Sequence, residues 1–164
     1  SGAVAVVLAH ERLLPGGTRL LGGASLAVTA HHDLCRGNAD KGMADGATTL
    51  MATDAEALLE AGLAVAGTTW SECKSVLGWS DATPDRICTH QVGGAHRRRL
   101  LATLGLPAEK DYPIYESFGN TGSTACPLAL ALAAESGFIQ AGHRVALLGI
   151  GSGIVCTMLG LEWA

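Results

Sequence analysis

Residues 144–163 read RVALLGIGSGIVCTMLGLEW, two apolar runs (Arg144 to Ile150 and Ile154 to Trp163) parted by a short Gly-rich break. Both runs predict strands, and Gly at the break supplies a tight strand-to-strand turn without steric cost. The GIGSGI pattern at 149–154 also approaches a dinucleotide fingerprint, but its context argues against one. A phosphate-cradling Gly loop opens a helix and has an acidic residue further on, whereas here a β-like run comes next and the sixth position is Ile154. A third reading keeps the turn chemical: its backbone N–H groups face a reacting oxygen.

Working outward, apolar spacing and breakers alternate strands with helices. Gly122 to Phe138 is Ala/Leu-rich and helical, with Pro127 near the first turn where a missing donor is tolerated. Tyr112 to Tyr115 reads as a short strand, Gly94 to Leu104 as a helix stopped by Gly105 and Pro107, and Arg86 to Thr89 as a short strand. Thr48 to Leu77 carries helical spacing, with Thr53 and Glu56 resembling a capping box. The polar, Gly-rich Thr29 to Ala47 reads as a loop, and Val4 to His10 and Arg19 to Val28 as two strands of a hairpin turned by LLPGG. Alternating elements closed by two consecutive strands define an α/β layered sheet.

Composition sets the bounds. A chain of 164 residues is one domain's worth, and 48% hydrophobic residues with 22 Gly and only 4% aromatics call for a core of small aliphatics and close backbone contacts. A net charge of −4 gives no electrostatic footprint for nucleic acid or an anionic membrane, and no apolar run is long enough to span a bilayer, so a cytoplasmic protein is expected. The five cysteines are scattered without a CxxC pair, as suits reduced thiols rather than a disulfide framework. Strand-like runs at both extremes, SGAVAVVLAH and IVCTMLGLEWA, lead us to expect a part of something larger.

Two polar residues stand out. His90 ends a strand in ICTHQVGGAH, and Asn120 lies in YESFGNTGSTACP just before an apolar helix. Taken singly, each reads as a hydrogen-bonded structural residue or as the lining of a crevice at the end of α/β strands. Together, HQVGGAH, FGNTGS thirty residues further on and the closing RVALLGIGSG resemble the C-terminal half of β-ketoacyl-acyl-carrier-protein synthase III, a thiolase-fold condensing enzyme. SGAVAVVLAH is similar to the GDGAGAVVL strand of that family, and HQV with GIGSG is most similar to the OleA type, which joins two long-chain acyl thioesters head to head.

The resemblance implies a thiolase-like α/β fold in αβαβα layers, of which residues 1–164 form the C-terminal half repeat with a mixed sheet. It implies a Claisen condensation of fatty acyl-CoA or acyl-carrier thioesters without a cofactor, CoA or phosphopantetheine serving as the carrier. His90 Nε2, kept neutral, and the Asn120 amide would donate to the second thioester's carbonyl as it becomes an enolate. The Ser152 N–H would help hold the oxyanion at the acylated Cys. Implied partners are a Cys-bearing N-terminal half or separate subunit and a dimer of such units.

The chain also departs from the pattern. None of its Cys residues (Cys35, Cys73, Cys88, Cys126, Cys156) lies in a nucleophile's Gly/Ala-rich setting. Where carrier-type enzymes have AN after HQ, Val92 and Gly93 stand, leaving Gly93 and Arg97 as candidate contacts to the carrier. A solvated face is the other reading of Arg97, Arg98 and Arg99. Glu116 reads as structural, and the base for a non-decarboxylative reaction is expected from the absent half. His31, His32, Asp33 and Cys35 could be drawn as a metal site, but HHDxC is no ligand spacing and no metal is expected; contact with the acyl chain is the milder option. A non-catalytic structural or regulatory subunit is the competing reading.

Overall fold

In β5 (Arg144–Gly151), Val145 and Leu147 enter one hydrophobic cluster while Ala146 and Leu148 enter another, the period-two alternation of a strand covered on both faces. That is why the run VALL carries no polar residue. The computed structural model describes residues 2–37 and 51–164. Its sheet has four strands in the order β1-β6-β5-β4, namely β1 (Arg19–Ala27), β6 (Val155–Glu162), β5 and β4 (Arg86–Thr89). β4 and β5 run parallel; the other pairings are antiparallel.

One face is covered by α1 (Ala55–Leu77) and α2 (Gly94–Leu104): Ala66, Trp70 and Cys73 with Leu100, Leu101 and Leu104 pack on Ile87, Leu148, Cys156 and Met158. The opposite face carries α4 (Ala125–Glu135), whose Ala125, Ala129 and Ala133 recur every four residues and rest on Cys88, Val145 and Leu161. The chain is therefore a helix–sheet–helix sandwich. Small residues let the layers approach: a Cβ on Gly160 would lie 2.5 Å from Leu77 Cδ1, and one on Gly23 would lie 2.1 Å from the Met158 carbonyl oxygen.

Helix α1 begins later than its periodicity predicts. Asp54, not Thr53, caps it, accepting from Ala57 N at 3.1 Å, and Met51–Thr53 is instead a strand, β3. β3 pairs with β2 (Cys35–Gly37), and Thr29–Leu34 forms a 3₁₀ turn, so part of the expected loop is ordered pairing. The remainder of that loop and Thr48 to Leu50 lie outside the described residues. Gly78, with φ +64°, ends α1 by donating to Lys74 and Ser75 carbonyls, a left-handed cap that Gly adopts without strain.

Two expected strands are corrected. Val4 to His10 is exposed and forms no strand, because a strand exists only through a pairing partner and this segment has none among the described residues. Tyr112 to Tyr115 makes no strand either: only Asp111 bridges to Ile87, after which Pro113 lacks a donor and the chain turns into the single helical turn α3 (Tyr115–Phe118). The helix expected over 122–138 divides into a 3₁₀ turn, Gly122–Thr124, and α4. β4, α2, β5 and β6 match their expected spans to within about two residues.

Candidate active site

Parallel strands end at the same edge of a sheet, so β4 and β5 deliver the residues beyond their ends to one place. His90 comes directly after β4 and extends the ladder by one bond, its N–H donating to the Leu148 carbonyl at 2.8 Å. Its ring is half-buried, and burial lowers its pKa below the ordinary histidine value; a backbone hydrogen bond with Gly122 opposes part of that shift. His90 is accordingly a neutral imidazole at pH 7.

Gly122 also fixes Asn120. The Gly122 N–H donates to Asn120 Oδ1 at 2.9 Å, so the amide oxygen is engaged internally and the NH₂ end is left to donate outward from an exposed side chain. Gly119 and Gly122, at φ +64° and +63°, bracket the corner, a left-handed geometry that a side chain would strain. Gly122 thus lies against both residues picked out from the sequence, positions thirty residues apart.

Ser152 lies where expected, exposed on the turn between β5 and β6. The turn is anchored behind it: Ile154 is fully buried and exchanges two backbone bonds with Val28, at 2.8 and 3.2 Å. Gly93 precedes α2, its carbonyl accepting from Arg97 N, and a Cβ there would meet nothing within 4 Å. Arg97 turns inward. Its Nε donates to Asp111 Oδ2 at 2.5 Å and its Nη2 to the Ala108 and Asp111 carbonyls, with the side chain 14% exposed. Of the three arginines, Arg99 pairs with Glu60 and only Arg98 is exposed without a partner among the described residues.

Three neighbours are not among the residues picked out for the site. Asp111 has a fully buried carboxylate that also accepts from Thr89 N at 3.2 Å, tying the 108–111 turn to the outer edge of β4. His96, in the first turn of α2, sets its ring edge-on to that of His90 with centroids 6.4 Å apart, and burial lowers its pKa as well. Gln91 is fully buried and bonds three backbone groups of residues 112–115. Adjacency to His90 is the one signal that could have found Gln91; Asp111 has none.

Four of the five thiols lie in settings that disfavour the thiolate. Burial raises the pKa values of Cys73, Cys88 and Cys156 and pushes that of Cys126 up to about 12, so all four stay protonated. Cys35 accepts a hydrogen bond from Thr53 Oγ1. Around it, His32 Nδ1 hydrogen-bonds to the Thr29 carbonyl and Asp33 pairs with Arg36 at 3.1 Å; among the described residues no three metal-ligating side chains converge. A groove of about 430 Å³ between α1 and α2, lined by Glu60, Leu63 and Arg99, includes none of His90, Asn120 or Ser152.

A mixed sheet between helical layers, with His90 directly after β4 and Asn120 at the Gly-bracketed corner between α3 and the 3₁₀ turn, is the architecture of a thiolase-type half. Solved structures agree: 3-oxoacyl-(acyl carrier protein) synthase III from Xanthomonas oryzae is 34% identical with a TM-score of 0.84 over 94% of this chain, and 43% of its own. A structure of Xanthomonas campestris OleA is 34% identical with a TM-score of 0.83 over 93% of this chain and 42% of its own. Residues 76–163 match the 3-oxoacyl-[acyl-carrier-protein] synthase III C-terminal family, and the chain belongs to that family. The acyl-CoA:acyl-CoA alkyltransferase of Shewanella oneidensis is 37% identical over 99% of this chain. The chain spans about half the length of such relatives, 48% in that case.

Proposed function

We propose that this chain supplies the His/Asn side of an active site for Claisen condensation of fatty acyl-CoA or acyl-carrier thioesters, the nucleophilic Cys coming from an N-terminal half or a separate subunit. The observation that carries the reading is Gly122, whose backbone donates to Asn120 Oδ1 and also meets the ring of a neutral His90. Likeness to acyl-CoA:acyl-CoA alkyltransferases over nearly the whole chain supports it.

The reaction runs in two steps. The Cys thiolate of the other half attacks the first thioester and expels the carrier thiolate. A base, also from outside this chain, takes the α-proton of the second thioester; its carbonyl oxygen gains the charge and is met by the Asn120 NH₂ and by the one N–H of the neutral His90 ring, which leaves its hydrogen bond to the Gly122 backbone to donate. The enolate carbon then attacks the acyl-Cys carbonyl, whose transient oxyanion meets the Ser152 N–H, and the Cys thiolate leaves as the C–C bond is completed. A neutral imidazole is required, since imidazolium would protonate the enolate it is meant to stabilise. Gly93, open where a Cβ would stand, gives room for the pantetheine arm. Arg97 leaves this reading because Asp111 holds its guanidinium. No resident cofactor or metal takes part; the assembly is a cytoplasmic dimer of such two-half units.

The test is substitution in the assembled complex. His90→Ala and Asn120→Ala should each lower condensation about 10²–10³-fold, as removal of one oxyanion-type donor does, while subunits still assemble. If condensation survives both changes, the chain is the structural partner of the competing reading.

A further inference from the structure

Helix α3 is a single turn of four residues, too short to hold itself, and its N-cap is Ile114, which has no side-chain acceptor. The acceptor comes from elsewhere in the chain. Gln91 Oε1 takes the Ile114 N–H at 2.7 Å and the Tyr115 N–H at 3.1 Å, while Gln91 Nε2 donates to the Tyr112 carbonyl at 2.7 Å. With Gln91 fully buried, none of these bonds can be replaced by water. From α3 the connection continues: Gly119 N donates to the Tyr115 carbonyl at 2.9 Å, and the next residue is Asn120, held in turn by Gly122.

We propose that Gln91 is a positioning residue, its carboxamide replacing the missing N-cap of α3 and thereby fixing Asn120 relative to its own chain neighbour His90. The inference rests on the reading of His90 and Asn120 as donors to the second thioester. One dipeptide then serves both arms of the site: His90 enters it, and Gln91 builds the turn on which the other donor stands. Packing alone does not call for a carboxamide here, since an apolar side chain of the same length would fill the space and leave three backbone groups unpaired.

Two substitutions in the assembled enzyme decide the matter, each assayed for kcat and KM of acyl-CoA condensation and for the rate of acyl transfer to the partner half's Cys. Gln91→Met keeps length and removes every hydrogen bond. It should lower kcat for condensation about 10- to 100-fold, as misplacement of a catalytic group by about 1 Å does, with KM within about threefold and Cys acylation unchanged. In Gln91→Glu, burial keeps the carboxyl protonated, so its O–H serves the Tyr112 carbonyl and its other oxygen the two amides. That variant should condense like wild type at low pH and lose kcat on an alkaline limb that wild type lacks. Should Gln91→Met fail to fold, the Gln91→Glu profile alone decides. The proposal is overturned if kcat for Gln91→Met is unchanged, if condensation, KM and Cys acylation decline together, or if Gln91→Glu adds no alkaline limb. His90→Ala run in parallel separates the two levels: if that variant condenses normally, the reading of the site falls and takes the inference with it.

Discussion

At the scale of single residues, burial does the chemical tuning. His90 and His96 both titrate below the ordinary histidine value because water is withdrawn from rings that would carry charge. In the unfolded chain both recover an ordinary pKa of about 6.5, so the unfolded state binds more protons at mildly acid pH. Folding stability is therefore at its full value above about pH 6.5 and declines as pH falls through the lowered folded-state values. Urea midpoints measured from pH 7.5 down to 5 should fall with acidity, and the slope should flatten in His90→Gln/His96→Gln; an unchanged slope would contradict the desolvation argument.

At the scale of elements, buried polar side chains substitute for regular pairing. The 108–112 segment lies along the outer edge of β4 without becoming a strand: Tyr112 N donates to the Ile87 carbonyl, and the Asp111 carboxylate takes Thr89 N and Arg97. Arg97 thereby pins α2 to that turn. Arg97→Ala leaves a carboxylate with no exposed surface and no cation, and removing one partner of such a pair costs about 3–5 kcal/mol. Denaturant unfolding should register that loss, whereas Arg98→Ala, on an exposed side chain of the same helix, should stay within about 0.5 kcal/mol of wild type. A small effect of Arg97→Ala would instead mean that its guanidinium is free to meet a carrier phosphate.

At the scale of the molecule, the chain leaves apolar surface that its described residues do not cover. Val6, Val7 and Leu8 are 69%, 91% and 78% exposed, and on α4 Leu128, Leu130 and Leu132 are only partly buried. With four thiols held protonated in the interior, the proposed condensation takes its nucleophile from outside them. Native mass spectrometry of the active assembly should show a Cys-bearing half of similar size, linked or separate. Iodoacetamide should label that half and spare Cys73, Cys88, Cys126 and Cys156 until the protein is unfolded. Labelling of Cys126 in the folded state would overturn the assignment, since a thiol with a pKa of about 12 supplies almost no thiolate at pH 8.

The sequence by itself determined the α/β architecture, because VALL between breakers and Ala/Leu-rich helical spacing report burial that the chain carries locally. It also brought out His90 and Asn120, which taken singly read as structural or crevice-lining residues, through the resemblance of HQVGGAH, FGNTGS and GIGSG to a condensing-enzyme half. Only the tertiary structure decided how they meet. Gly122 between them, Gln91 capping a helix twenty-four residues away and Asp111 claiming Arg97 are contacts between distant segments with no periodicity to betray them. The same reason explains the lost strand at Val4 to His10. Apolar alternation prepares an extended segment, but pairing is a property of two segments, and a sequence window sees only one.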